Sequence, residues 1–163
     1  MPSTAPFILG EHRRTLDDRF RLSIPSELID PIVEEKKDCI LAKERPGALS
    51  LWKASDYQGK LDREVGAIEA LLQADRLKDR TDVVQKFGRL LSTRHKPVQI
   101  AGRGRISIPE GFREFLGVDA GGEVLIVGAA ICVEIWRPES WFTYLEGSIP
   151  EFQQTVSELL DKS

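Results

Sequence analysis

Cysteine and histidine are scarce in this chain of 163 residues, with two of each. Cys39 and Cys132 lie far apart, and no pair among the four residues has the close spacing of a zinc ligand set, so no metal site is expected. Each cysteine sits in an apolar, strand-like stretch. A disulfide between them is open, but buried free thiols in a reducing compartment are the expected state. No apolar run approaches the roughly 20 residues that cross a bilayer as a helix. The first residues, MPSTAPFILGEHRR, place no basic segment ahead of a long apolar one. No signal peptide is therefore expected, and the cytoplasm is the expected location.

An excess of positive charge is also missing. The formal net charge is −3, which on its face argues against a nucleic-acid partner. Global charge is a poor guide, however, when a small basic face makes the contact. From Arg89 to Arg105 the chain carries Arg89, Arg94, Lys96, Arg103 and Arg105 with no acidic residue among them. Arg13, Arg14, Arg19 and Arg21 form a second cluster, diluted by Asp17 and Asp18. With 41% hydrophobic and 30% charged residues the composition is that of a folded globular protein. The length suits one domain, or two small ones sharing a core.

What the chain does contain is an internal repeat. LDDRFRLSIPSEL, starting at Leu16, matches IAGRGRISIPEGF, starting at Ile100. Arg19, Arg21, Ser23, Ile24 and Pro25 return as Arg103, Arg105, Ser107, Ile108 and Pro109, always 84 positions later. At the same offset Trp52 meets Trp136, Lys53 meets Arg137, Tyr57 meets Trp141 and Leu61 meets Leu145. A constant register over so long a stretch marks a duplicated unit. The expected division is residues 1–84, with connecting helices, and residues 85–163, ending in a C-terminal helix.

Each unit carries the same local signals. A short strand (Arg13 to Leu16; Val98 to Ile100) leads into a polar, arginine-bearing turn. The alternating RLSIP or RISIP segment follows, stopped by its proline. A short helix is expected from Ser26, with Ser26 as its N-cap, and again from Glu110; Gly117, Gly121 and Gly122 mark turns after the second. Hairpins then turn at Arg45-Pro46-Gly47 and at Gly128-Ala129-Ala130. A helix is expected after each tryptophan. In the first unit it is capped by Ser55 and runs to about Leu72, with Leu61, Val65, Ile68 and Leu72 as a core or subunit-interface stripe. Further helical spacing covers Thr81 to Ser92 and Glu151 to Leu160. Four short strands and a helix bury little alone, so the two halves are expected to share strands in one pseudo-symmetric, barrel-like core.

Few residues invite catalysis. His12 and His95 are flanked by positive charge and lack an obvious nucleophile partner, so solvated histidines are expected. Asp17-Asp18 has the composition of an acid–base pair, but turn carboxylates bonding local backbone N–H groups are the expected role. The GRGR of Gly102 to Arg105 lacks the spacing of a phosphate-binding P-loop. Trp52 and Trp136, where strand hands over to helix, are expected in the core rather than on a base-stacking platform.

The stronger signal is the pair of arginine turns. Arg19 and Arg21, like Arg103 and Arg105, lie two apart and would share one face of an extended segment. A pseudo-twofold axis would then present four guanidinium groups, whose forked donors suit phosphate oxygens and the guanine edge in a major groove. The competing reading has Arg21 and Arg105 paired with carboxylates inside the fold, Asp17 being the local candidate.

The segment LDDRFRLSIP resembles the signature of the MraZ family, in which a DxxxR element precedes an apolar-x-I-P strand end. The likeness covers nearly the whole chain. It implies an α+β fold of two tandem AbrB-like repeats sharing a pseudo-twofold swapped-hairpin β-barrel, flanked by helices. It further implies a DNA-binding transcriptional regulator of the division and cell-wall gene cluster, binding direct repeats upstream of it and assembling into rings of several subunits.

The two signatures depart from the family pattern in complementary ways. Phe20 stands where glycine is usual, which is expected to keep the first turn out of the left-handed backbone region. Ala101 replaces the second aspartate and leaves Arg105 without that partner, and Arg14 stands where many members have histidine. The expected DNA-binding residues are Arg13, Arg19, Arg21, Arg103 and Arg105, with Asp17 and Gly104 as structural support. The expected partners are double-stranded DNA and further copies of the chain, at the nucleoid, with no cofactor, small-molecule substrate or membrane. A non-catalytic interaction module, antitoxin-like and built on the same barrel, is the alternative.

Overall fold

The computed structural model of the chain describes residues 7–74 and 80–162. Its elements run β1 (Glu11–Thr15), β2 (Arg21–Ser23), α1 (Ser26–Ile29), β3 (Cys39–Arg45), β4 (Ala48–Trp52), α2 (Ala54–Gln73) and α3 (Thr81–Thr93). They continue with β5 (His95–Val98), β6 (Arg105–Ser107), α4 (Glu110–Leu116), β7 (Glu123–Gly128), β8 (Val133–Trp136) and α5 (Pro138–Asp161). This is a mixed α+β fold around antiparallel sheet. Strand, strand, short helix, hairpin and helix follow one another twice, with α3 between the two series.

Six strands form one sheet in the order β1-β7-β8-β4-β3-β5, while β2 and β6 pair only with each other. β1 lies on the later hairpin, with Arg13 opposite Leu125, and β5 lies on the earlier one, with Val98 opposite Cys39. β4 joins β8 at the centre, with Leu49 opposite Ile135.

The expected closed barrel is not formed. β1 and β5 are the two free edges, and Pro97 in β5 has no N–H to offer a further strand. The β2–β6 ribbon instead closes over the core, with Leu22 opposite Ile106 and both side chains almost wholly buried. Leu16, Ile24, Leu28, Leu41, Leu51, Ile108, Leu116 and Ile135 belong to the same cluster.

The other face of the sheet is covered by the first turns of α2 and α5. Trp52 meets Tyr57 edge-on with ring centres 5.9 Å apart, and Trp136 meets Trp141 at 5.2 Å. Both strand-end tryptophans are buried, at 8% and 2% exposure, which puts them in the core as the sequence indicates. Cys39 and Cys132 are free and buried; burial is the main cause raising their thiols, to about 11 and about 12 respectively.

Several local expectations change. The expected strand at Val98 to Ile100 ends at Val98 as β5, and the one at Arg13 to Leu16 ends at Thr15. Ser26 is the first helical residue rather than the cap; Pro25 holds the cap position and no side chain bonds there. Ser55 likewise lies inside α2, where its backbone N–H donates to Glu34 Oε1 at 2.7 Å, an acid from 21 residues upstream doing the work of the cap. The helical signal from Glu151 is the second half of α5, which continues through Pro150. Proline disrupts a helix interior by losing one backbone bond and crowding the carbonyl four residues earlier. That carbonyl is on Glu146, an exposed position in a helix with no buried residue. The stripe on α2 is not core: Leu61, Val65 and Ile68 are half-buried, Leu72 is exposed, and Tyr57 is the buried residue of that helix.

Candidate nucleic-acid interface

The two arginine turns lie at either side of the β2–β6 ribbon. In the first, Leu16 is buried and anchors the approach. Asp17 then organises the loop: its Oδ1 accepts the backbone N–H groups of Arg19 and Arg21, each at 2.8 Å, and its Oδ2 accepts Arg21 Nε at 2.7 Å. The Arg21 backbone N–H foremost, joined by its guanidinium and the Arg19 N–H, holds the Asp17 carboxyl below its usual range against the opposing effect of desolvation. This is a turn carboxylate, not half of an acid–base pair.

Phe20 follows with φ of 58°, in the left-handed region that the sequence argues against. Its ring is half-buried against the core and lies under the guanidinium of Arg113, 4.4 Å from the ring centre. A left-handed non-glycine residue costs about 1–2 kcal/mol. Burying Leu22 and Ile106 on the same ribbon returns roughly 1.5–3 kcal/mol each, enough to hold the turn.

The second turn is built differently. Ala101 and Arg105 exchange backbone hydrogen bonds at 2.8 and 3.3 Å around Gly102–Gly104. Arg103 and Gly104 both have positive φ, 66° and 67°. Gly104 is required here, since a Cβ would stand 2.5 Å from the Ile24 carbonyl oxygen. No carboxylate among the described residues pairs with Arg105, so it is exposed and unclamped where Arg21 is held.

Backbone bonds cross between the turns: Ile24 N–H donates to Gly104 and Ile108 N–H to Phe20, both at 3.0 Å. Register in the ribbon sets Arg21 opposite Ser107 and Ser23 opposite Arg105. With Leu22 and Ile106 facing the core, strand alternation turns Arg21, Ser23, Arg105 and Ser107 the other way. Arg19 and Arg103 do not continue these strands. The left-handed residues beside them end the extended run, so the expected one-face pairing of Arg19 with Arg21, and of Arg103 with Arg105, is replaced by one arginine in each turn and one on each strand.

Of the remaining basic candidates, Arg13 is tied across the β1–β7 pairing to Glu123 at 2.5 Å. Arg14, in the basic cluster but not among the expected DNA-binding residues, donates to the Arg13 carbonyl at 2.8 Å and lines a depression with Arg103, Ser23 and Ser26. The outward serines of RLSIP were the available signal, since alternation alone places Ser23 beside the arginines. His12 touches Glu27 and His95 packs on Tyr57, with ring centres 5.0 Å apart. Among the described residues no group of three or more His, Cys, Asp or Glu side chains could hold a metal ion, and no helix is long and apolar enough to cross a membrane.

Residues 95–162, which include the second turn, the second hairpin and α5, match the family model described as "MraZ protein, putative antitoxin-like". The chain is also 25% identical over 153 residues to the transcriptional regulator MraZ of Heliobacterium modesticaldum, covering 94% of this chain and 96% of the relative. The corresponding protein of Syntrophomonas wolfei is 24% identical with the same coverage, and that of Treponema denticola is 28% identical over 92% of this chain and 95% of its own. The chain is thus similar to the MraZ family model in its second half, and to MraZ relatives along nearly its whole length at 24–28% identity. These relatives are named transcriptional regulators. In this chain the first turn has the aspartate clamp and the second has the glycine.

Proposed function

We propose that this chain is a sequence-specific, DNA-binding transcriptional regulator, acting in the cytoplasm at the nucleoid on repeated promoter sites of the division and cell-wall gene cluster. The observation that carries the reading is the β2–β6 ribbon. It sets Arg21 and Arg105 diagonally on its outward side, with Arg19 and Arg103 in the flanking turns. A two-stranded antiparallel ribbon fits a major groove, and guanidinium forks suit guanine edges and phosphates. Arg19, Arg103 and Arg13 supply backbone contacts, Arg13 by sharing its charge with Glu123; Arg21, oriented by Asp17, and Arg105 reach toward bases.

The chain's two halves are read as tandem AbrB-like repeats, residues 1–84 and 85–163, that swap hairpins. This accounts for β1 and β5 each lying on the hairpin of the other series. One ribbon offers a small footprint, so useful affinity comes from several subunits on repeated sites. Phe142, Ile149, Phe152 and Leu159 on α5 are exposed and supply an apolar surface for a ring-like homo-oligomer. No cofactor or small-molecule substrate enters the reading. The same apolar helix surface also favours a second reading, a non-catalytic antitoxin-like module that docks a partner protein and leaves DNA alone.

Fluorescence anisotropy with the duplex upstream of the protein's own gene, against a shuffled duplex of the same length, separates them. Tight binding to the first that Arg21→Ala/Arg105→Ala abolishes supports the regulator. Equal, weak binding to both, with the oligomer intact, contradicts it and favours the docking module.

A further inference from the structure

We infer that a DNA backbone phosphate seats in the depression beside the second turn, between Arg14 and Arg103, and that the matching place beside the first turn rejects it. The inference rests on the DNA-binding reading above and makes the two halves of the interface unequal.

The seat is a depression of about 420 Å³ whose lining includes Arg14, Ser23, Ser26, Asp30, Arg103 and Gly104. Arg103 and Arg14 are exposed and neither is paired with a carboxylate among the described residues. The hydroxyls of Ser23 and Ser26 are exposed and make no hydrogen bond among those residues. Gly104 lines the depression with backbone alone, packed closely against the Ile24 carbonyl. Two guanidiniums outweigh the carboxylate of Asp30 at the rim. Two forked cations and two free hydroxyl donors around one depression are the donor set that a phosphodiester requires.

The position 84 residues away keeps Arg19 for Arg103 and Ser107 for Ser23, but neither lines the depression there, and the other features reverse. Phe20 stands for Gly104 and fills the floor with a ring, on which Arg113 stacks. Glu110 stands for Ser26 and Glu114 for Asp30, and Asp119 joins them. Val98, buried, stands for Arg14. Arg113 is engaged with the Phe20 ring and donates through Nε to the Ile108 carbonyl at 2.6 Å. Three carboxylates against one occupied guanidinium repel a phosphate where the first depression attracts it.

Phosphate contacts weaken binding to every sequence alike and each contributes about one unit to the salt slope. The test is therefore anisotropy on both the upstream duplex and a random-sequence duplex, over a salt series, for wild type, Arg14→Ala, Ser26→Asp and Glu110→Ser. Arg14 and Ser26 are exposed, and an acid in the first turn of α1 favours the helix, so both variants keep the fold, which thermal unfolding verifies. The expected result is a loss on the order of tenfold for Arg14→Ala and Ser26→Asp on both duplexes, as for one charge-assisted bond. The salt slope of Arg14→Ala falls by about one, and Glu110→Ser stays within about twofold of wild type. If wild type binds and the turn arginines matter but Arg14→Ala and Ser26→Asp bind normally, the seat is overturned and the DNA reading stands. If Glu110→Ser shifts affinity as strongly as Ser26→Asp, the inequality of the halves is overturned. If wild type binds neither duplex, both readings fall.

Discussion

Phe20 and Gly104, 84 positions apart, share the left-handed backbone, with φ of 58° and 67°, and each carbonyl receives an isoleucine N–H from the opposite strand segment. Glycine adopts this conformation without cost, whereas an alanine there carries the penalty and no compensating ring. Phe20→Gly is therefore expected to be more stable than Phe20→Ala by about 1 kcal/mol, measured by urea unfolding. Gly104→Ala, whose Cβ meets the Ile24 carbonyl oxygen, is expected to cost about 1–3 kcal/mol. An alanine at position 20 as stable as glycine would mean the first turn abandons the left-handed form.

Asp17 links the turn to pH. Its carboxyl titrates below the ordinary range because the Arg21 N–H, its guanidinium and the Arg19 N–H all favour the ionised form. A group depressed in the folded state adds stability that is present above its unfolded value, about 3.9, and is lost as pH falls through the lowered folded value. Asp17→Asn is expected to be less stable than wild type at neutral pH and to converge with it in acid. Urea midpoints against pH measure this, and a gap that persists below the carboxylate range would contradict it.

The legible parts of the fold and site rest on local chemistry. The RLSIP and RISIP segments show their ribbon by alternation, with Leu22 and Ile106 turning in and the arginines out. Asp17 two and four residues before Arg19 and Arg21 is a turn carboxylate in sequence as in space. The illegible parts depend on what lies across the fold. That β1 and β5 remain edges follows from the ribbon's pairing with itself, a long-range choice that no window around Arg13 or Val98 contains. Pro150 reads as a helix stop, yet the exposed α5 tolerates it. Phe20 reads as an obstacle to a left-handed turn because nothing near it in sequence reveals the core contact and the Arg113 stack that hold it there.

Glu134 gives the opposite pH dependence. It faces Ser50 across the central strand pair and accepts the Trp136 indole N–H at 3.0 Å, yet burial foremost, with Glu44 adding, raises its carboxyl above the usual range. A raised carboxyl costs stability above its folded value and ceases to do so as pH falls toward the unfolded value of about 4.3. Glu134→Gln keeps the acceptor for Trp136 and removes the half-buried charge. It is expected to raise the thermal midpoint at neutral pH and to lose that advantage in acid. A variant that is destabilised at neutral pH would show that the charge is needed where it stands.

The central claim is that DNA is held by arginines in two turns, and the salt dependence of binding tests it most directly. For the upstream duplex, a plot of log affinity against log salt is expected to have a steep negative slope, shallower by about two units in Arg19→Ala/Arg103→Ala, one for each phosphate released. A slope unchanged in that double variant, or affinity indifferent to salt, would contradict the account.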